Sequence, residues 1–182
     1  MAWNGLTSVT ESPSGAEPTA IYADNIKYLN ILSAEEFGAT ITAYTYPDEF
    51  MQCDGTAALA EGVYIGQQAR SVFGMVYRSR IGDDIRGDSK GYKLHIIYSA
   101  TASPSEKNYQ TVNDSPEAIE FSWEVTTTPV NVTGYRPTSQ IIIDSTKVEA
   151  TVLTEIEDAL FGNATEEPTL LTPQEIIDIL VP

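Results

Sequence analysis

The sequence predicts a mainly β chain, an antiparallel β-sandwich or partial barrel with one flanking α-helix. Apolar and polar residues alternate with period two in several separate runs, the mark of half-buried strands. Gly, Pro, Asn and Asp punctuate those runs as turns. Apolar spacing of four residues appears only late in the chain. At 182 residues the chain is about one domain long, enough to bury a core without staples.

Residues 1–21 read as an N-terminal arm, rich in Thr, Ser, Gly and Pro and poor in periodicity. An ordered polar arm needs something to lie on, its own domain or a neighbouring subunit. Residues 22–162 read as the β-sandwich domain. In it Tyr28–Ser33 and Gly38–Tyr46 are expected to pair as a hairpin around Ala34–Phe37. Ala39, Ile41 and Ala43 face one way, against Thr40, Thr42 and Tyr44. A short helical turn is expected at Asp48–Cys53 and a strand within Arg70–Arg80. Ile81–Lys90 carries glycine and both charge signs without period-two order, so it reads as a projecting loop rather than a plain hairpin turn. Gly91–Ala100 turns Tyr92, Leu94, Ile96 and Tyr98 to one side, and Lys93, His95 and Ser99 to the other with Ile97. The clearest alternation is at Ala118–Thr128. Ile119, Phe121, Trp123 and Val125 oppose Glu120, Ser122, Glu124 and Thr126.

Gln140–Asp144 is a further strand. The helix is placed near 147–161 by Val148, Val152, Ile156 and Leu160, with Thr146 and Glu149 spaced as a capping box and Gly162 as its stop. Residues 163–182 form a C-terminal segment in which Pro173 fits the start of a second short helix through Ile176, Ile177 and Leu180.

Charge excludes several functions. Ten Lys and Arg face 26 Asp and Glu, a net of −16, so phosphate backbones and anionic lipid surfaces repel the chain. Residues 1–66 hold one base and nine acids, residues 67–144 eight bases and nine acids, and residues 145–182 one base and eight acids. Such contrast suits surfaces that meet other copies, and equally a chance asymmetry of composition. A hydrophobic content of 42%, with ten Tyr, five Phe and two Trp, is that of a folded domain and not of an acidic tail. No apolar run reaches ~18 residues, so no membrane span is expected, and the N-terminus lacks the basic start and apolar stretch of a signal peptide. A single cysteine excludes an internal disulfide and a multi-cysteine zinc site.

Catalytic patterns are weak. Cys53 and His95 are the sole Cys–His combination, and nothing local brings them together, so they read as a buried small hydrophobe and a solvent-facing strand histidine. Asp83, Asp84 and Asp88 lack the alternation of a calcium loop, since Arg86 and Leu94 stand where ligands are required. Glu120 and Glu124, four apart on a strand, are ~13 Å from each other, too far for two-carboxylate hydrolysis. Gly62–Gly66 lacks the third glycine of a dinucleotide fingerprint. No cofactor, metal or enzymatic activity is expected.

Ala2-Trp3-Asn4-Gly5-Leu6-Thr7, Tyr22-Ala23-Asp24-Asn25-Ile26-Lys27-Tyr28-Leu29, Gly38–Gly55, Gly91–Thr128 and Ile143–Gly162 are more specific than these patterns. Together they resemble the major tail protein, or tail tube protein, of long-tailed, non-contractile bacteriophages infecting Gram-positive hosts. Ile81–Lys90 and the segment after Gly162 match least. The resemblance implies a tail tube protein-like fold: a β-sandwich flanked by a helix, joined edge to edge with other copies into hexameric rings.

The resemblance further implies that the rings stack into a hollow tube in the virion tail, assembled in the host bacterial cytoplasm. It implies as partners an enclosed tape measure protein and tail completion and distal tail proteins. It also implies that DNA passes through the bore without specific binding and that no membrane is involved. On that picture Glu120, Ser122, Glu124 and Thr126, or else Thr40, Thr42 and Tyr44, line the lumen. Asp83, Asp84, Arg86, Asp88 and Lys90 form an inter-ring loop, and both terminal segments order on neighbouring copies. Two alternatives stay open: a tube protein of a contractile tail or tail-derived injection device, and a β-sandwich binding or adhesion module.

Overall fold

A computed structural model describes residues 2–85, 87–109, 111 and 118–180, with the backbone alone at 88 and 89. Its strands are β1 (Leu6–Glu11), β2 (Ser14–Gly15), β3 (Pro18–Ala23), β4 (Ile26–Leu32), β5 (Glu35–Glu36), β6 (Gly38–Ala43), β7 (Ala57–Ala60), β8 (Val63–Ile65), β9 (Phe73–Asp83), β10 (Gly87–Ala102), β11 (Phe121–Thr127) and β12 (Gln140–Asp144). A 3₁₀ turn occupies Asp48–Gln52, where the short helical turn is expected, and two helices follow, α1 (Ala150–Phe161) and α2 (Pro173–Leu180). The chain is thus mainly β with antiparallel sheets. It divides into two compact units, one drawn from Ser71–Thr101 and Thr128–Pro182, the other from Trp3–Arg70 and Ala102–Thr127.

In the helix-bearing unit β10 lies between β9 and β12, antiparallel to both, with Leu94 opposite Arg78 and Ile143, and Ile96 opposite Val76 and Ile141. Period two sends Leu94, Ile96 and Tyr98 to one face, where they pack against Leu153, Ile156 and Leu160 of α1 and Ile176 of α2. A polar contact ties helix to sheet at the rim. Arg78 pairs with Glu157 at 2.9 Å and lies over the Tyr92 and Phe161 rings, while the Tyr92 hydroxyl donates to Glu157 Oε1 at 2.6 Å. That bond, then burial, holds the Tyr92 phenol above its ordinary range.

The capping box expected at Thr146 does not form. The Thr146 N–H and hydroxyl both donate to Asp144 Oδ1, at 3.0 and 2.6 Å, so α1 begins later, after an extended Glu149 with no side-chain cap. Gly162 does end the helix, at φ 74°, a conformation that favours glycine. A capping box forms instead on α2. The Thr172 hydroxyl and N–H reach Glu175 Oε2 at 2.8 and 2.7 Å, and the Glu175 N–H returns to Thr172 Oγ1. The C-terminal segment therefore has a seat in its own unit: Ile176 is 1% exposed within the core.

In the other unit β6 lies between β1 and β11, antiparallel to both. Val9 and Trp123 flank Ile41, Val125 lies opposite Ala39, and Phe121 opposite Ala43. Ala39, Ile41, Ala43, Trp123 and Val125 are fully buried, the small alanines leaving room beside the indole. Part of the segment read as an arm is thus an integral strand. The hairpin expected between residues 28–33 and 38–46 is not made either: β4 pairs with β3, and β6 with β1 and β11. The actual ribbon, β3–β4, turns on Asp24 and Asn25, both at positive φ (50° and 62°), a two-residue loop whose twist suits a hairpin.

Candidate functional site

The two polar rows proposed as alternatives for one surface lie on the same face of one sheet. Ser122 is opposite Thr42, Glu124 opposite Thr40, and Thr126 opposite Gly38, and directly paired residues of an antiparallel ladder share a face. β1 adds Ser8 opposite Thr42 and Thr10 opposite Thr40. The result is two cross-strand rows, Ser8–Thr42–Ser122 and Thr10–Thr40–Glu124, backed by the apolar face that holds Ile41 and Trp123.

Ser122, Glu124 and Thr126 are exposed, Thr40 and Thr42 half-buried. Glu120 precedes β11, and its carboxylate accepts from Thr7 Oγ1 at 2.8 Å, which fastens the margin of the patch to β1. Tyr44 lies just past β6, about half exposed, with its N–H donating to the Gly5 carbonyl at 2.9 Å.

Ser8 and Thr10 belong to this face and escape the sequence reading. A register shift between Leu6 and Ser8 breaks the period, leaving Val9 as the one inward apolar residue of a short polar run.

Beneath this sheet an acidic residue is buried. Asp54, 8% exposed, accepts from Trp123 Nε1 at 3.1 Å, lies 3.6 Å from Arg70 Nη1, and is paired with the Lys107 ammonium. Arg70 also donates to the Ala102 carbonyl at 3.0 Å. Lys107 sits over the Tyr46 ring, and Tyr46, Phe50 and Trp3 each pack against Trp123 with centroids 5.2–5.5 Å apart. Burial, the largest single influence, lowers the Lys107 pKa, but the hydrogen bond and charge of Asp54, joined by Tyr46 and Tyr109, together outweigh it and hold the ammonium above its usual range. Both oxygens of this carboxylate are engaged, so the cluster fixes the segment carrying Lys107 to the aromatic core. No sequence pattern announces it, because Asp54, Arg70, Lys107 and Trp123 come from four distant stretches.

The expected inter-ring loop is a hairpin end. β9 and β10 pair up to Gly87 opposite Asp83, which corrects the reading against a hairpin turn; the shift between Gly87 and Gly91 hides the alternation from the sequence. Asp83 accepts the Ile85 N–H at 3.1 Å and pairs with Lys90 at 3.5 Å, and Asp84 is exposed beside them. Arg86 and the side chain of Asp88 lie outside the described residues.

His95 is not solvent-facing. It is 9% exposed, its Nε2 is 2.8 Å from Ser79 Oγ, and its ring stacks on Tyr77 at 4.6 Å. β9 and β12 flank this part of β10 at its two edges, and Tyr77 and Ser79 of β9 enclose the ring, so the position is interior although the helices pack on the opposite face. Cys53 is 8% exposed, and burial pushes its thiol up, away from the thiolate a nucleophile needs. Among the described residues no three His, Cys, Asp or Glu side chains gather to hold a metal ion, and no helix is long and apolar enough to cross a membrane. No protein-family model matches the chain, and no curated protein does.

Proposed function

We propose that this chain is a structural subunit of a bacteriophage tail tube, which works by self-association and performs no chemistry of its own. Six copies form a ring, rings stack, and the bore encloses a tape measure protein and later conducts the genome. The observation that carries the reading is the polar face of the β1–β6–β11 sheet. Its hydroxyls and the Glu124 carboxylate present no cation to a passing phosphate backbone, and a chain of net charge −16 repels it at longer range. The sequence resemblance over residues 2–7, 22–29, 38–55, 91–128 and 143–162 supports the same reading, as does the open outer edge of β1, which pairs with β6 alone among the described strands. An exposed strand edge is a liability unless another chain covers it, and a closed ring of copies does so.

Electron microscopy of the purified, concentrated protein tests the proposal. Rings with an open bore, or tubes built from them, are expected. A population of monomers or of solid, boreless oligomers rejects it. In a tube of known density, Ser122 and Glu124 are expected to face the channel, and their appearance on the outer wall would remove the assignment of this face.

A further inference from the structure

The β3–β4 ribbon gathers, among the described residues, seven exposed large hydrophobics within twelve positions, Ile21 to Leu32. Among the described residues the two strands pair only with each other. Tyr22 is 70% exposed, Tyr28 73%, Leu32 66% and Ile26 63%, while Leu29, Ile31 and Ile21 stand at 49, 50 and 41%. Register places Ile21 opposite Leu29, with Ile31 two residues along the same strand, so these three share one apolar face. A two-stranded ribbon is marginal in water without something to pack on.

The exposed apolar area decides whether one interface fits it. With ~200 Å² for a tyrosine and ~100 Å² for an aliphatic side chain, those fractions correspond to roughly 550 Å². One side of a standard interface covers about 800 Å², of which roughly 57–65% is apolar, on the order of 450–520 Å². Alternation along β4 sets Ile26, Tyr28 and Leu32 on the face opposite Leu29 and Ile31, so this area is divided between two faces, and a partner gains the apolar share of one side by embracing both faces of the ribbon.

Charge and pairing identify the occupant. Pro18–Leu32 contains one acid, Asp24, and one base, Lys27, within a chain of net charge −16. A neutral meeting surface spares two copies of so acidic a chain the close like-charge contacts that its acidic segments would bring. Among the described strands β1 pairs with β6 alone, so every copy holds both a donor ribbon and a sheet-edge strand. That is the condition for a repeating, head-to-tail contact. We infer that the β3–β4 ribbon docks on a second copy of this chain. The inference rests on the self-assembly reading above and names the element that carries it.

The test compares the full chain with its Tyr28→Glu/Ile31→Lys variant, which keeps the net charge, by mass photometry and sedimentation velocity across a concentration series. Circular dichroism verifies the fold. The variant is expected to need at least ten-fold more protein to assemble. Assembly unchanged in the folded variant overturns the inference while rings or tubes would leave the tube reading standing. Boreless oligomers lost in the variant would do the reverse, and a wild-type chain that stays monomeric throughout overturns both. Should the variant unfold, hydrogen exchange on the wild-type chain decides: amides of residues 18–32 gain protection on assembly, and protection confined to other segments overturns the inference.

Discussion

In the helix-bearing unit the apolar face of the sheet is closed over by α1 and α2, leaving Ile156 and Ile176 at 0 and 1% exposure. In the other unit the apolar face of β1–β6–β11 is equally well buried around Trp123, but its second face is open and polar. A ribbon with two tyrosines at 70% exposure or more extends from the same unit. The first unit spends its apolar residues on its own interior. The second keeps a neutral, apolar element in reserve and presents hydroxyls where a covering layer would otherwise lie. Both are built from period-two strands, so the contrast comes from what each sheet face is given to pack against, not from strand chemistry.

Substitutions can break or sharpen that contrast, and the largest effect belongs to the closed unit. Ile156→Ala empties a fully buried site between helix and sheet and is expected to cost about 3 kcal/mol in chemical denaturation. Next comes the buried ion cluster of the open unit. Lys107→Ala leaves the Asp54 carboxylate with Arg70 and Trp123 only, and a loss of about 2 kcal/mol is expected. If Lys107→Ala proves silent, the segment carrying Lys107 is held by something other than this pair. Thr172→Ala removes the cap of α2 and should lower stability by about 1 kcal/mol, with helix content reporting the change.

Smaller effects separate core from surface. The Tyr98 hydroxyl is buried without a hydrogen-bond partner among the described residues, so Tyr98→Phe is expected to be neutral or slightly stabilising at pH 7. Burial, with the Glu175 carboxylate adding to it, holds the Tyr98 phenol above its ordinary range. Its folded-state pKa thus exceeds the unfolded one, and the contribution is complete below about pH 10 and lost as pH rises beyond it. Denaturation at pH 8 and pH 11 should show a smaller alkaline loss in Tyr98→Phe than in the parent. Smallest of all, Ser122→Ala should change monomer stability by less than about 0.5 kcal/mol, because its side chain faces outward. A larger loss would mean that the polar face is packed and not open.

Much of the fold is legible in the sequence where a strand has one clean face. Ala39, Ile41 and Ala43, and likewise Trp123 and Val125, alternate without interruption, and all are buried. Legibility fails where a ladder slips. The shift at Leu6/Ser8 disguises β1 as a polar arm, and that at Gly87/Gly91 disguises the β9–β10 end as a loop. Pairing partners are harder still. Nothing in Tyr28–Ser33 distinguishes a neighbour before it from one after it, except Asp24-Asn25, two residues that tolerate positive φ between alternating runs.

His95 is misread for a related reason: alternation does not tell what the second face of a strand meets, and here Tyr77 and Ser79 of the neighbouring strand enclose the ring. The polar face itself is half legible. Its two rows are visible separately, but only register unites them.

Those two rows have one more consequence. Ser and Thr hydroxyls rotate freely and donate or accept as the neighbour requires, so Ser8, Thr10, Thr40, Thr42 and Ser122 can each hold water without favouring either sign of ion. With Glu124 as the one charge in the two rows, such a wall would wear a thin hydration film whose bonds are exchanged as readily as they are made, and a long anionic polymer drawn across it would meet lubrication where a lysine-lined wall would act as a brake.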